Sequence, residues 1–407
     1  MKSNPNHPHF DVLLGSSEAS PQYGLIGQHD REIVAIDLNA PNTIGLFGVQ
    51  GSGKSYTLGA IAEMASMPID NINALEKPLA TVFFHYSSTS TQEPEFCSMA
   101  QANDNKSQLE RLKDVYGADP QPFEDVVLLT PKDSLEERQR EYPSINVQPL
   151  TFASRELSAS NWKFLMGAVG NQAMYIRQIT QIMRSLRNNI TIDLLEEAIN
   201  QSDLPEKSVE LALMRLGFAR EYIDDSTELK SLIKPGRLII VDIRDELIEK
   251  DEALGLFVVL LNIFATAKDA AEAFNKLVIF DECHKYTSNP DMVISLVEMV
   301  REMRHKGTSI VIASQDPPSV PVQLIELSTL IFLHKFNTPT WLTHLKKAKT
   351  AFASLSSKDL DMLLPGQAYV WTNKATDKDY VFAPTKIECR PRVTKHGGDS
   401  LLAHRES

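Results

Sequence analysis

Apolar positions along this chain fall into two rhythms. Short and nearly unbroken apolar runs occur at residues 33–37, 43–47, 81–85, 126–129, 238–241, 277–280, 309–312 and 330–333. A strand with one wet face alternates apolar and polar positions, whereas unbroken runs are strands covered on both faces. They predict a mainly parallel sheet with crossover helices. Leu58, Ile61 and Met64 recur at helical spacing and predict a helix over 56–66.

Past about residue 162 the helical rhythm takes over. Ile176, Ile179, Ile182, Met183 and Leu186 share one face, as do Leu194, Leu195, Ala198 and Ile199. Asp203 and Pro205 mark a further helix start, with Val209, Leu213 and Leu216 continuing the stripe. The expected architecture is α/β. A sheet core spans 10–90 and 230–385, and an insertion spans 91–229, largely helical from about 162. Within the insertion, 92–121 is polar and loop-like around one helix near 109–115. The tail over 386–407 is basic at first (Arg390, Arg392, Lys395), then Gly-rich and polar, and reads as a frayed terminus.

Composition narrows the setting. The 407 residues carry a net charge of –12, which argues against a simple nucleic-acid binder that neutralises phosphates with clustered Lys and Arg. It leaves room for an enzyme that grips DNA through a few loops inside a ring. Cys97, Cys283 and Cys389 are odd in number and far apart, with neither metal spacing nor a disulfide framework, so a reducing cytoplasm is expected. The polar N-terminus has no signal-peptide core. The longest apolar stretch, 254–267, is broken by Asn262 and falls short of the roughly 20 residues a membrane helix needs, so a buried helix and no membrane association are expected.

The chemistry is concentrated in three places. Gly48-Val-Gln-Gly-Ser-Gly-Lys-Ser55 fits the phosphate-loop pattern G-x-x-x-x-G-K-[ST], with an apolar run before it and a helical pattern after it. Gly48, Gly51 and Gly53 let the backbone wrap closely around Ser52 and turn its amides and the following helix N-terminus toward phosphates. Lys54 would reach the β/γ oxygens of ATP, Ser55 would ligate Mg²⁺, and Tyr56 completes the nucleotide-binding stretch. The apolar run 277–280 ends in Asp281 and Glu282, placing two carboxylates at the edge where open α/β sheets bind ligands. Asp281 is expected to hold magnesium through water, and Glu282 to act as general base. Gln315, just past the run 309–312, is the expected γ-phosphate sensor. Arg301 and Arg304 precede it at a helix end, where they complement the dipole and are also candidate arginine fingers for a neighbouring subunit. His284 reads as a solvent-facing or packing residue rather than a metal ligand. Asp242 and Arg244 read equally as cleft-lining or structural residues. The Lys-rich run 335–349 around Trp341 reads as a solvated face.

Taken together these motifs resemble the HerA/FtsK superfamily of translocases, with relatives among conjugative-transfer ATPases. The resemblance rests on the stretch 34–55, on Phe280-Asp-Glu-Cys-His284, on Arg301-Glu-Met-Arg304 with Ala313-Ser-Gln-Asp-Pro317, and on Leu363-Leu-Pro-Gly-Gln-Ala368. It covers roughly 10–90 and 230–385 and leaves the helical insertion unmatched. It implies a RecA-like P-loop core, a hexameric ring, ATP-driven movement of duplex DNA, and Arg301 or Arg304 completing the neighbour's site. HerA-like ATPases work with a nuclease or other effector, including in antiviral defence. Two family features are not recognisable: an N-terminal β-barrel and a DNA-reading winged helix. Recruitment would then come from the insertion, from loops or from a partner protein. A two-domain helicase has no space after Glu282. A regulatory ATPase that switches the assembly of a partner complex is the alternative.

Overall fold

The computed structural model describes residues 7–89, 92–167, 174–186, 189–248, 250–270, 272–285 and 290–397. One 14-stranded sheet organises it. Its continuous parallel part runs, in spatial order, Leu330–Leu333, Thr43–Phe47, Thr308–Ser314, Lys276–Phe280, Ala80–Ser87, Leu238–Arg244, Val126–Thr130 and Asn146–Pro149. The strand that enters the glycine loop therefore lies two places from the strand that leads into Asp281. Thr308–Ser314 lies between them and brings Gln315 to the same edge.

The unbroken apolar runs have the expected cause: successive side chains feed opposite cores. On Lys276–Phe280, Val278 and Phe280 enter one core and Leu277 and Ile279 the other. Ile239 and Val241 divide from Leu238 and Ile240 in the same way. Helix Lys54–Ser66 packs in the second core through Leu58, Ile61 and Met64. Helix Lys250–Thr266, which carries Asn262, is buried in the first core. Among the described residues no helix is long and apolar enough to cross a membrane.

Two boundaries differ from the sequence reading. Val126–Thr130 and Asn146–Pro149 extend the sheet beyond Leu238–Arg244, so strands of the core lie inside the stretch 91–229. The polar segment before them hid this continuity. The helices Ala159–Leu165, Met174–Leu186, Ile192–Asn200 and Glu206–Glu221 follow, and Trp162, Ile179, Leu195 and Leu216 join the first core rather than forming one of their own.

The frayed tail is the second correction. Thr385–Cys389 is a strand, antiparallel to Gln367–Thr372 and to Tyr23–His29. Arg390 and Arg392 behind it are fully buried. Arg390 Nη1 donates to Glu63 Oε1 at 2.5 Å, with both side chains at 0% exposure. Glu63 also accepts from the Val393 and Thr394 amides at 3.1 Å each. A basic stretch looks solvated until its acidic partner is found, and here that partner is hidden inside the helix after the glycine loop. Buried charges persist only when paired in this way.

Candidate nucleotide site

The glycine loop owes its shape to positions where a side chain cannot fit. Gly51 and Gly53 have φ of 74° and 96°, the left-handed region that favours glycine. A Cβ on Gly53 would also meet the Gly366 amide nitrogen at 2.7 Å. The turn at Pro365 and Gly366 therefore sits directly against the loop, and the Gly366 amide donates to the Ser52 carbonyl at 3.4 Å. On the other side a Cβ on Gly48 would meet the Cβ of His334 at 2.7 Å. The loop closes on itself through Ser52, whose hydroxyl donates to the Val49 carbonyl at 2.7 Å. The helix that follows starts at Lys54, so its first-turn amides face the cleft edge as an anion seat.

Lys54 is 97% buried, with only 3% of its side chain exposed. Its Nζ donates to Glu282 Oε1 at 2.9 Å and to Asp281 Oδ1 at 3.5 Å. Burial alone would lower its pKa, and the two carboxylates more than offset that, leaving it raised and Lys54 firmly cationic. Gln315 Nε2 donates to the same Glu282 oxygen at 2.5 Å. Glu282 Oε2 lies 3.2 Å from His284 Nδ1, which is 3.3 Å from the Ser314 hydroxyl. Glu282 itself has φ of 49°. A left-handed non-glycine residue costs on the order of 1–3 kcal/mol and persists where its surroundings over-determine it. Here the Glu282 amide donates to Asp281 Oδ1 at 3.0 Å, and its side chain is held by Lys54 and Gln315.

Lys54, Asp281, Glu282 and Gln315 line one cleft of about 910 Å³, together with Gly51, Gly53, Ser55, Tyr56 and Gly366. Its chemistry is that of a triphosphate seat: amides and a buried cation on one side, two carboxylates and an amide side chain on the other. The Ser55 hydroxyl and the Asp281 carboxylate are hard oxygen donors and fit magnesium, which is held by one or two carboxylates together with substrate phosphates and water. The cradle without side chains at Gly51 and Gly53 fits a phosphate chain.

The remaining sequence candidates fall elsewhere. Arg301 lies in the last turn of the helix Pro290–Met303 and Arg304 begins the turn after it, both exposed and neither lining the cleft. A crossover helix returns the chain to the amino edge of the sheet, so both arginines lie on the far side of the sheet from the cleft. Asp242 and Arg244 are structural: Arg244 Nε donates to Asp242 at 2.9 Å and Nη2 to Glu141 at 2.9 Å, and Arg138 closes the buried network at 3.2 Å from Asp242. In the Lys-rich run, Lys349 Nζ donates to the Glu326 carbonyl at 2.8 Å and Lys346 Nζ to the Ala353 carbonyl at 3.3 Å, which ties those cations to the scaffold. Tyr56 donates its hydroxyl to Gln108 Oε1 at 2.8 Å and accepts from the Arg392 amide at 2.8 Å. Sequence reasoning missed Glu95 and His396, which also line the cleft. Both sit in polar stretches with no motif to mark them.

The sheet order, the glycine loop and the acidic strand edge define a RecA-like P-loop NTPase fold. Solved structures share it. The plasmid coupling protein TrwB with a non-hydrolysable ATP analogue superposes with a TM-score of 0.55 at 10% identity, covering 99% of this chain and 99% of that one. TrwB in complex with ADP and Mg²⁺ gives 0.52 at 10% identity over 96% and 98%. VirB4 of Thermoanaerobacter pseudethanolicus gives 0.51 at 12% identity over 92% and 97%. At such identities the likeness is one of fold, and it is the fold that the HerA/FtsK resemblance implies. No family model matches the chain, and no curated protein matches it by sequence.

Proposed function

We propose that this protein is a magnesium-dependent ATP hydrolase working as a ring-forming motor on duplex DNA. The observation that carries the hydrolase reading is the convergence of Lys54, Glu282 and Gln315 in one cleft beside the glycine loop. Lys54 and the loop amides bind the β/γ phosphates, and Ser55 with Asp281 holds magnesium. The metal, when bound, neutralises phosphate charge and orients the triphosphate. Glu282 then accepts a proton from the attacking water as the bond to the γ-phosphorus forms and the β–γ bridging bond breaks, releasing ADP and phosphate. Incoming phosphate draws Lys54 away from Glu282, while Gln315 keeps the carboxylate aimed. A base on which a lysine sits is thus freed only when substrate arrives.

The motor reading draws its support from the motif resemblance and from the shared fold with a coupling protein and VirB4. In a hexamer, Arg301 or Arg304 would serve a neighbour's cleft, which fits their exposure and their distance from their own. An arginine finger is worth roughly 10³–10⁵ in rate. A companion nuclease or effector in the cytoplasm, as in antiviral defence, fits the same resemblance. The net charge of –12 favours a second reading, a regulatory ATPase that switches a partner complex without processive movement.

ATPase rate, with and without duplex DNA, on protein of known oligomeric mass separates the two. The motor predicts stimulation by DNA and a rate that rises faster than linearly with concentration. Indifference to DNA contradicts the motor, and full specific activity in a monomer contradicts the shared site.

A further inference from the structure

The cleft is larger than a phosphate chain needs. Its volume of about 910 Å³ is that of a site for a whole small-molecule ligand, for which about 300–1,000 Å³ is usual. Part of its wall comes from the insertion: Gln108 and Arg111, one turn apart on the helix Lys106–Tyr116, both line it. Cys389 lines it too, and so does Pro391 of the C-terminal strap over 390–397.

Contacts with the helix after the glycine loop tell where this wall stands. Lys54 marks the end at which phosphate meets the acidic edge, with Nζ 2.9 Å from Glu282 Oε1. Tyr56, two residues on, donates its hydroxyl to Gln108 Oε1 at 2.8 Å. Thr57 donates its hydroxyl to Cys389 Sγ at 3.4 Å. The insertion helix and the strand Thr385–Cys389 therefore meet this helix through residues that lie past the phosphate-binding lysine.

The wall offers donors. Gln108 Oε1 accepts from Tyr56 and also from Asn103 Nδ2 at 2.9 Å, which fixes the amide and leaves Nε2 to donate elsewhere. Arg111 Nη1 forms an ion pair with Glu388 Oε1 at 2.6 Å, while Nη2 is buried with no hydrogen-bond partner among the described residues. A buried donor left unpaired is costly, and one in a cleft wall points to a ligand acceptor. Glu388 already neutralises the guanidinium and Gln108 carries no charge, so the wall suits uncharged acceptors better than a further phosphate.

We propose that Gln108 and Arg111 form the nucleoside wall of the site. The Gln108 amide and Arg111 Nη2 donate to uncharged acceptors of the ribose or the base, so the insertion selects a nucleotide over a bare polyphosphate. This inference rests on reading the cleft as a nucleotide site.

Isothermal titration calorimetry tests it with ATP, ribose 5-triphosphate and tripolyphosphate, in EDTA to withhold magnesium and prevent turnover. Wild type should bind ATP about tenfold or more tighter than tripolyphosphate. Arg111→Ala should weaken ATP by about tenfold or more and leave tripolyphosphate within about twofold. An equal loss with ribose 5-triphosphate assigns the acceptor to the ribose, and a loss confined to ATP assigns it to the base; either supports the proposal. Wild-type ATP affinity in Arg111→Ala, or wild-type protein that binds tripolyphosphate as tightly as ATP, overturns it and leaves the phosphate seat standing. Should Arg111→Ala lose both ligands, Arg111→Lys decides, because it keeps a charge for Glu388 without a second nitrogen. Weaker ATP binding with unchanged tripolyphosphate binding then supports the proposal, and unchanged ATP binding or equal losses overturn it. Wild-type protein that binds neither ligand overturns the nucleotide reading instead.

Discussion

Lys54 Nζ lies 2.9 Å from Glu282 Oε1, although 228 residues separate them in the chain. The pair is the junction of two chemistries. In the proposed mechanism one half would seat phosphate and the other activate water, and in this structure each neutralises the other. A buried lysine needs such a counter-charge, since desolvation disfavours its charged form.

Gln315 shares that glutamate oxygen at 2.5 Å, so its side chain is bonded to the expected base. Its loss should therefore spare ATP binding and damage turnover. Gln315→Ala is expected to lower kcat, because Glu282 loses the donor that aims it, with ATP affinity within about a few-fold of wild type. Single-turnover kinetics beside equilibrium binding reads both. Equal losses in affinity and rate would show that Gln315 only props up the cleft.

The Arg390–Glu63 pair makes a stability prediction. Removing one partner leaves an uncompensated buried charge, which costs about 3–5 kcal/mol. Glu63→Gln strands Arg390 among the Leu25 and Ala60 carbonyls to which it also donates. A urea unfolding midpoint should fall well below wild type with the slope unchanged. An unmoved midpoint would mean that the C-terminal strap is dispensable for the fold.

His334 supplies a pH dependence. It is fully buried against the glycine loop, and its Nδ1 donates to the Gln367 carbonyl at 3.1 Å. Burial, aided by the charge on Lys54, lowers its pKa to about 4 from an ordinary 6.5. The folded protein thus holds it neutral while the unfolded chain protonates it. Stability from this group is complete above about pH 6.5, declines as pH falls, and is lost below about pH 4, on the order of 3 kcal/mol in all. Unfolding midpoints at a series of pH values should fall less steeply through that window for His334→Gln than for wild type. Parallel slopes would place the acid sensitivity elsewhere.

Much of this was legible because the physics is local. Strands buried on both faces must be apolar at every position, so 277–280 and 309–312 announced themselves, and so did the acids and the glutamine at their ends. Glycines that must turn left-handed announced the loop. Pairings between distant polar groups left no such trace. Arg390 read as part of a solvated tail because the Glu63 carboxylate that pairs with it is some 330 residues away. Glu95 and His396 each sit in polar stretches whose meaning comes only from the cleft they share. Val126–Thr130 read as a strand on its own, but the sheet it joins lay beyond a polar loop.

The central claim is that the glycine loop and the Asp281–Glu282 edge form one catalytic cleft. Retention of radiolabelled ATP and its conversion to ADP, followed together in Lys54→Ala and Glu282→Gln, test it most directly. Lys54→Ala should bind no ATP, and Glu282→Gln should hold ATP uncleaved. Turnover at the wild-type rate in either variant would contradict the account.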